Sequence, residues 1–440
     1  MIAHVHWSGV VAGVTLLAAG SGAAWGGPLE VGAAVVTLRV PPGAPLGGYG
    51  SGARRLFLPD IFGRTPHTFW LAPHAGTLDP LAARALVLDD GASRLVWIAA
   101  DLVAVDASFR QEVGEELARA GVTATTLIIS ASHTHSGPGA FIDSTLFGFL
   151  VVDRYDAAVR GALVRDLVDA ARAAAAAKRP ARAGTAELRG PDLTRGRLGR
   201  PLDREIVVLK LVSEADVPLA LVWNYAIHGT MLGSRNLRLS GDVMGVASRE
   251  LERALGVPAL FVNGAVGDVS PRHHGEPALG PDGAELAAAV RRAAARATGR
   301  GVSGLRVATA RVDLGSPAVS IRNCMGRWVP RWLKLPLERV LPREAELTAV
   351  AVGDTAWVTI PGELQSELGA AIKRDARSAW AHAFVAGLSN DYLGYFVTPT
   401  AYERASYVTC ATLYGPGAGE RIARGATDLL RSLRAATAAR

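Results

Sequence analysis

The sequence predicts an α/β fold, with mixed β-sheets covered by helices in a single large domain. Three observations carry this. Short β-branched or apolar runs interleave with Ala-rich runs of helical spacing, without a strict period. Two apolar runs are split only by Asp89, Asp90 and Gly91, a hairpin signature that brings antiparallel pairing into the sheet. The chain has 440 residues, 49% hydrophobic and 20% charged, enough to bury a large core and without the composition of a disordered chain. No repeat and no internal linker interrupts it.

In chain order, a leader comes first. From Trp7 to about Trp25 the sequence is apolar and rich in Gly and Ala, ending among small residues, so residues 1–30 read as a signal-like leader and the chain as secreted or periplasmic. The leader has no Lys or Arg at its start, which leaves a cytoplasmic location open, and it is short and weakly hydrophobic for a spanning helix. Residues 33–40 read as a strand ending in a Pro- and Gly-rich loop. Residues 81–88 and 93–100 form the hairpin, 108–120 a helix, 124–130 a buried strand and 155–178 a long Ala-rich helix. Strands follow at 205–212 and 219–225, a helix at 245–255, a strand at 259–262 and a helix at 284–297. Strands at 305–312 and 346–360, a helix at 364–374, a short strand at 384–386 and a helix at 420–435 complete the chain.

The formal charge is +7, carried almost entirely by Arg scattered among Ala and Gly. Such a surface favours acidic partners such as anionic lipid. A nucleic-acid role is the weakest reading and none is expected, because no basic run interleaved with aromatics and no DNA-binding motif occurs. The two cysteines, Cys324 and Cys410, make no C-x-x-C pair, so a disulfide scaffold and a thiolate zinc site are both excluded. A single disulfide between them is left open.

Residues 133–139 (HTHSGPG) follow the 124–130 strand. Two histidines at i and i+2 of an extended segment point the same way and converge on one site, as a metal requires. A bare H-x-H also occurs in turns with exposed histidines, so the motif alone leaves both readings open. His228 again follows a strand, where sites collect in α/β proteins. Glu363 lies after another strand, at the expected start of a helix; it either favours the helix N-terminus or completes a His₂Glu zinc set. Residues 263–272 (NGAVGDVSPR) form a Gly-rich loop presenting Asp268 and Ser270, but not the G-x-S-x-G elbow of a serine hydrolase. Tyr392, Tyr395, Tyr402, Tyr407 and Tyr414 cluster late in the chain; ordinary core packing explains most, while a phenol near a metal can ligate it or donate to an oxyanion. Residues 327–340 (RWVPRWLKLPLERV) mix Trp, Leu and basic residues as an interfacial segment does, although two prolines break any helix and favour a plain ordered connection.

Taken together, HTHSGPG at 133–139, LSGDVMGVAS at 239–248, NGAVGDVSP at 263–271, PGE at 361–363, AGLSNDYLGY at 386–395 and TLYGP at 412–416 resemble the neutral/alkaline non-lysosomal ceramidases in order and rough spacing. The resemblance runs from about Val31 to Pro416, and implies that residues 31–440 form the catalytic domain without that family's C-terminal immunoglobulin-like domain. It implies a Zn²⁺-dependent amidohydrolase cleaving the N-acyl amide of ceramide-like lipids to fatty acid and sphingoid base. His133, His228, Glu363 and Tyr395 would be the metal ligands and His135 the proton-transferring histidine beside them. Tyr407 would contact the substrate, and Ser270 would act as nucleophile or positioning group. The partner implied is an amphiphilic N-acyl lipid, with peripheral membrane contact. The family's substrate-binding arginine has no clean match; Arg195 and Arg197 are the nearest residues. Arg272-His273-His274 after Pro271 departs from the family pattern, and the expected lack of the C-terminal domain keeps in view a related zinc hydrolase of another N-acyl or ester substrate; a non-catalytic metal-binding relative is the further alternative, against which the four retained ligand positions argue.

Overall fold

The computed structural model describes residues 27–302 and 304–438; most of the expected leader lies outside them. Strand Glu30–Thr37 opens an eight-stranded sheet. From one edge to the other, the strands run Thr126–Ala131, Arg94–Ala100, Ala82–Asp89, Glu30–Thr37, Arg179–Arg189, Glu205–Ser213, Pro218–Tyr225 and Ala259–Asn263. The interior pairs are antiparallel, and each outer pair is parallel. A second, four-stranded sheet orders Leu305–Asp313, Glu344–Val352, Thr355–Thr359 and His382–Ala386, with the last pair parallel.

The layers follow from strand periodicity. In strand Ala82–Asp89, Ala83, Ala85 and Val87 face helices Ala107–Arg119 and Ala157–Ala176, while Leu86 and Leu88 face the second sheet. Ile206 and Val208 likewise face helices Asp242–Leu255 and Glu276–Arg296, and Val207 and Leu209 face the second sheet. Between the sheets Trp97 stacks on Trp357 with ring centroids 5.0 Å apart, and Trp357 on Phe384 at 5.5 Å. The outer face of the second sheet is covered by helices Ser366–Ala376 and Ala418–Ala438. Helix, sheet, sheet, helix is thus the layer order, which is the expected mixed-sheet α/β fold. Strands buried on both faces explain why most read as continuous apolar runs.

Several local expectations need correction. The 346–360 run is two strands, Glu344–Val352 and Thr355–Thr359, because Gly353 at φ +60° turns the chain between them. The helix expected from residue 284 begins at Glu276: Pro277 sits in its first turn, where no N–H is needed, and Pro281 is carried inside. Strand Arg179–Arg189 was not foreseen; its inward residues are Ala181, Ala183 and Ala186, too small to register as an apolar run. Glu363 does not start a helix. It lies in the short strand Glu363–Leu364, paired in parallel with Tyr395–Phe396, and the helix begins at Ser366. Residues 327–340 form no helix, as their two prolines predict: they contain turns and strand Lys334–Pro336, which pairs with Ala318–Ser320. Cys324 and Cys410 form a disulfide. No helix among the described residues is long and apolar enough to cross a membrane.

Candidate metal centre

Strand ends build the site. The outer strands of the large sheet finish beside one another, and Asn263 clips their exits: its Nδ2 donates to Ser132 O at 3.0 Å and to Ile227 O at 2.9 Å. The next residues are His133 and His228. The two exits then pair directly, with His135 N donating to Gly229 O at 2.8 Å and Gly229 N to His133 O at 3.2 Å. A Cβ at residue 229 would lie 2.5 Å from His133 O, so only glycine permits this approach. Gly267 does the same for the third segment, since a Cβ there would lie 2.6 Å from Glu363 O.

His133 and His135 do converge, but not from an extended segment. His133 has φ +69°, a left-handed conformation that costs a non-glycine residue about 1 kcal/mol or more. It is held there by its N–H to Leu102 O at 3.0 Å and by Nδ1–H to Val103 O at 2.6 Å. His228 Nδ1–H donates to Val266 O at 3.1 Å. With both Nδ1 atoms committed as donors, both Nε2 atoms present lone pairs, and they face each other at 3.0 Å. His135 Nε2 lies 3.5 Å from His133 Nε2. Glu363 Oε1 is 3.4 Å from His133 Nε2, and Oε2 is 3.1 Å from His228 Nε2. Oε2 accepts no hydrogen bond although the residue is 1% exposed. All four side chains are buried.

Opposed lone pairs beside an unsatisfied buried carboxylate oxygen are unfavourable unless a cation lies among them. Burial pushes His228 down to about 3 and holds His135 well below the ordinary imidazole value. Burial alone would raise Glu363, but His133 and His228 beside it outweigh that and hold its carboxyl well below the usual range. Neutral imidazole, the form that burial favours at His135 and His228, and ionised carboxylate are the forms in which these groups ligate a metal ion. The three histidines, whose ligand atoms lie within 4.8 Å of one another, can hold a metal ion. Ligands about 2.1 Å from a tetrahedral metal are about 3.4 Å apart, close to the separations among His133, His228 and Glu363.

The phenols complete the wall. Tyr395 is the ladder partner of Glu363, and its OH receives Arg197 Nη1 at 3.4 Å. Burial and then the Glu363 charge raise Tyr395 well above the ordinary phenol value. Tyr407 lies edge-on to Tyr395 at 6.1 Å between ring centroids. Arg197 Nε donates to Ser270 Oγ at 2.7 Å, so the group observed on this serine is a donor that cannot serve as its base. Arg195 turns away, to His274 Nε2 at 3.3 Å. His133, His135, Glu363 and Tyr407 line one cavity with Val103, Ala104, Ile142, Phe147, Val151, Val152 and Tyr392.

Four supporting residues escaped the sequence reading as functional groups. Asn263 is the clip described above. Tyr392 OH donates to Glu363 Oε1 at 2.7 Å. Arg54, 1% exposed, donates through Nη1 to His135 O at 2.5 Å and to Gly47 O at 3.0 Å. Its guanidinium covers the Tyr49 ring at 4.9 Å, and that ring packs on His135 at 4.7 Å. Only Tyr392 carried a signal, its place in the tyrosine cluster.

Residues 73–285 match the family model for the N-terminal part of neutral/alkaline non-lysosomal ceramidase. The chain resembles the neutral ceramidases. The neutral ceramidase of Pseudomonas aeruginosa is 28% identical over 222 residues, which is 45% of this chain and 33% of that protein. The neutral ceramidase of Mycobacterium tuberculosis is 28% identical over 241 residues, 47% of this chain and 38% of that protein. The match thus spans about a third of the length of these relatives. The crystal structure of the Pseudomonas neutral ceramidase aligns with a TM-score of 0.78 at 20% identity, covering 93% of this chain and 75% of that one, which establishes the shared fold. His133, His135, His228 and Ser270 lie inside the matched segment, whereas Glu363, Tyr395 and Tyr407 lie beyond it.

Proposed function

We propose that this protein is a zinc-dependent amidohydrolase that cleaves the N-acyl amide of ceramide-like lipids, releasing fatty acid and sphingoid base. The observation that carries the reading is the pair of main-chain-anchored imidazoles whose Nε2 atoms face each other at 3.0 Å beside Glu363. Likeness to neutral ceramidases supports the substrate class. His133, His228 and Glu363 would hold Zn²⁺, with Tyr395 as the fourth protein ligand. A zinc ion there would supply Lewis acidity toward a carbonyl oxygen and lower the pKa of a water toward neutrality.

The chain's own groups do the rest. The apolar cavity wall receives the acyl chain and keeps bulk water from the amide. Tyr407 donates a hydrogen bond from its phenol to the carbonyl oxygen as charge develops on it. His135 is neutral and has no hydrogen-bond partner on its buried Nδ1. It takes a proton from the attacking water and delivers it to the departing nitrogen, which must be protonated to leave. Arg197, steadied by Ser270, holds Tyr395 in place. Ser270 is therefore a positioning residue in this scheme, not the nucleophile.

Zinc content and ceramide hydrolysis, measured together on wild type and His133→Ala, test the reading. Stoichiometric zinc with fatty-acid release, both lost in the variant, is the expected result. Zinc without ceramide turnover would move the substrate to another N-acyl amide or ester. A wild type that takes up no zinc after metal loading would refute the mechanism.

A further inference from the structure

We infer that two apolar projections, each tied to residues of the cavity wall, dock on an anionic lipid bilayer. The first is the tip at residues 57–62. Phe57, Leu58, Ile61 and Phe62 are exposed by 99%, 71%, 67% and 75%. The tip is built rather than loose: Asp60 accepts from Arg64 N at 3.0 Å and Thr65 N at 2.8 Å, and Leu56 N donates to Trp70 O at 3.0 Å. Its apolar side chains are therefore held outward. The second projection lies at residues 325–335, where Trp328 and Trp332 are exposed by 75% and 79%, with Met325 and Leu335 beside them. Trp328 Nε1 donates to Met325 O at 3.0 Å, so its one polar atom is satisfied before the ring enters an apolar phase.

Both projections are tied to the cavity. Arg55 bonds Phe149 O, and its guanidinium covers the Phe149 ring at 4.8 Å; that turn, Gly148–Val152, ends in Val151 and Val152 of the wall. The disulfide Cys324–Cys410 joins the second projection to helix Tyr407–Cys410, whose Tyr407 forms another part of the wall. Soluble surfaces rarely expose large apolar side chains so densely, and such patches mark contact sites. The charge pattern selects the partner. Residues 321–340 carry Arg322, Arg327, Arg331, Lys334 and Arg339 against Glu338, with Arg331 paired to Glu403, and Arg55 and Arg64 flank the first tip against its Asp60, so both projections keep a basic excess. Aromatic residues interleaved with basic ones suit the interface of an anionic leaflet. A second copy is disfavoured, because self-association would oppose two basic segments.

This inference rests on the proposed function only in taking the lipid substrate from that surface. The test is co-sedimentation of the full chain with vesicles of phosphatidylcholine, with and without phosphatidylglycerol. Binding should be about tenfold or more stronger to the anionic vesicles and weaken with salt. The pairs Phe57→Ser with Phe62→Ser, and Trp328→Ser with Trp332→Ser, should each lower it about tenfold while leaving turnover of a dispersed short-chain amide unchanged. Vesicle binding by a wild type that lacks ceramide turnover would support docking while the substrate reading fails. Absence of wild-type binding, or equal binding by the variants, would overturn the inference. So would a dimer in sedimentation velocity that the Trp variants dissociate, since it would assign the face to a second copy.

Discussion

Asn263 offers the sharpest test of how the fold makes the site. Its side chain is fully buried and joins the last residue before His133 to the last residue before His228. Asn263→Ala leaves Ser132 O and Ile227 O without these donors, and Ile227 N without its 3.3 Å bond to Oδ1. Stranded buried groups cost about 1–3 kcal/mol each, but a water entering the vacated space recovers part of that, so about 3 kcal/mol in total is expected. The same change frees the two imidazole-bearing segments to drift apart, and loss of such outer support lowers metal affinity about 10- to 100-fold. Urea unfolding of the metal-free proteins reads the first effect as a midpoint shift at constant slope. Chelator competition reads the second. A stability loss below about 1 kcal/mol would refute the hydrogen-bond argument. A full stability loss with unchanged zinc affinity would show that the clip serves the core and not the metal centre.

Tyr392→Phe keeps the ring and removes only the OH that donates to Glu363 Oε1. It should weaken zinc about tenfold with little change in fold stability, by chelator competition, and an unchanged affinity would remove Tyr392 from the support of the carboxylate. Burial would raise Asp89, but Lys178, the Gly91 N–H and Arg94 outweigh it and bring the group down to about 2. A depressed carboxylate stabilises the fold above its unfolded value near 3.8, and that stability is lost as pH falls toward about 2. Discounted for partly exposed partners, the effect is about 1–2 kcal/mol; Asp89→Asn should flatten the fall in urea midpoint between those pH values, and parallel curves would contradict it. The disulfide spans 86 residues, so reduction should lower stability by at most about 4.5 kcal/mol, read as a lower melting temperature that a Cys324→Ser/Cys410→Ser variant reproduces without reductant. A melting temperature insensitive to reductant would show that the bridge leaves the unfolded chain's freedom unchanged.

The parts of the molecule legible in the sequence share one property: their signal is local. Hairpin 82–100 announces itself through Asp89-Asp90-Gly91, and the helices at 107–119 and 157–176 through their own periodicity. His133, His228 and Glu363 were legible because each follows a strand closely, and strand ends are where a sheet exposes side chains to a common space. Strand Arg179–Arg189 was lost because small inward residues carry little hydrophobic contrast. The left-handed turn at His133 was lost for a different reason: local preference opposes it, and tertiary bonds to Leu102 and Val103 impose it. Asn263 and Arg54 were invisible as site residues because their partners are main-chain atoms far away in sequence, which no spacing rule can encode.

Each of His133 and His228 is fixed by an Nδ1 bond to a main-chain carbonyl, and Glu363 by its place in a parallel ladder with Tyr395. The donors are thus oriented by the backbone of three separate segments rather than by one another. Their mutual contacts, two lone pairs and a carboxylate oxygen without a donor, are unfavourable on their own. A fold that holds donors in such opposition has already met the ordering cost that a flexible site would meet on binding. Relief of the opposition then adds to the affinity of whatever cation enters. Preformed geometry and stored opposition act in the same direction, and both depend on the close approaches that Gly229 and Gly267 permit. The two glycines therefore belong to the candidate metal centre as much as the histidines do, although neither offers a ligand atom from a side chain.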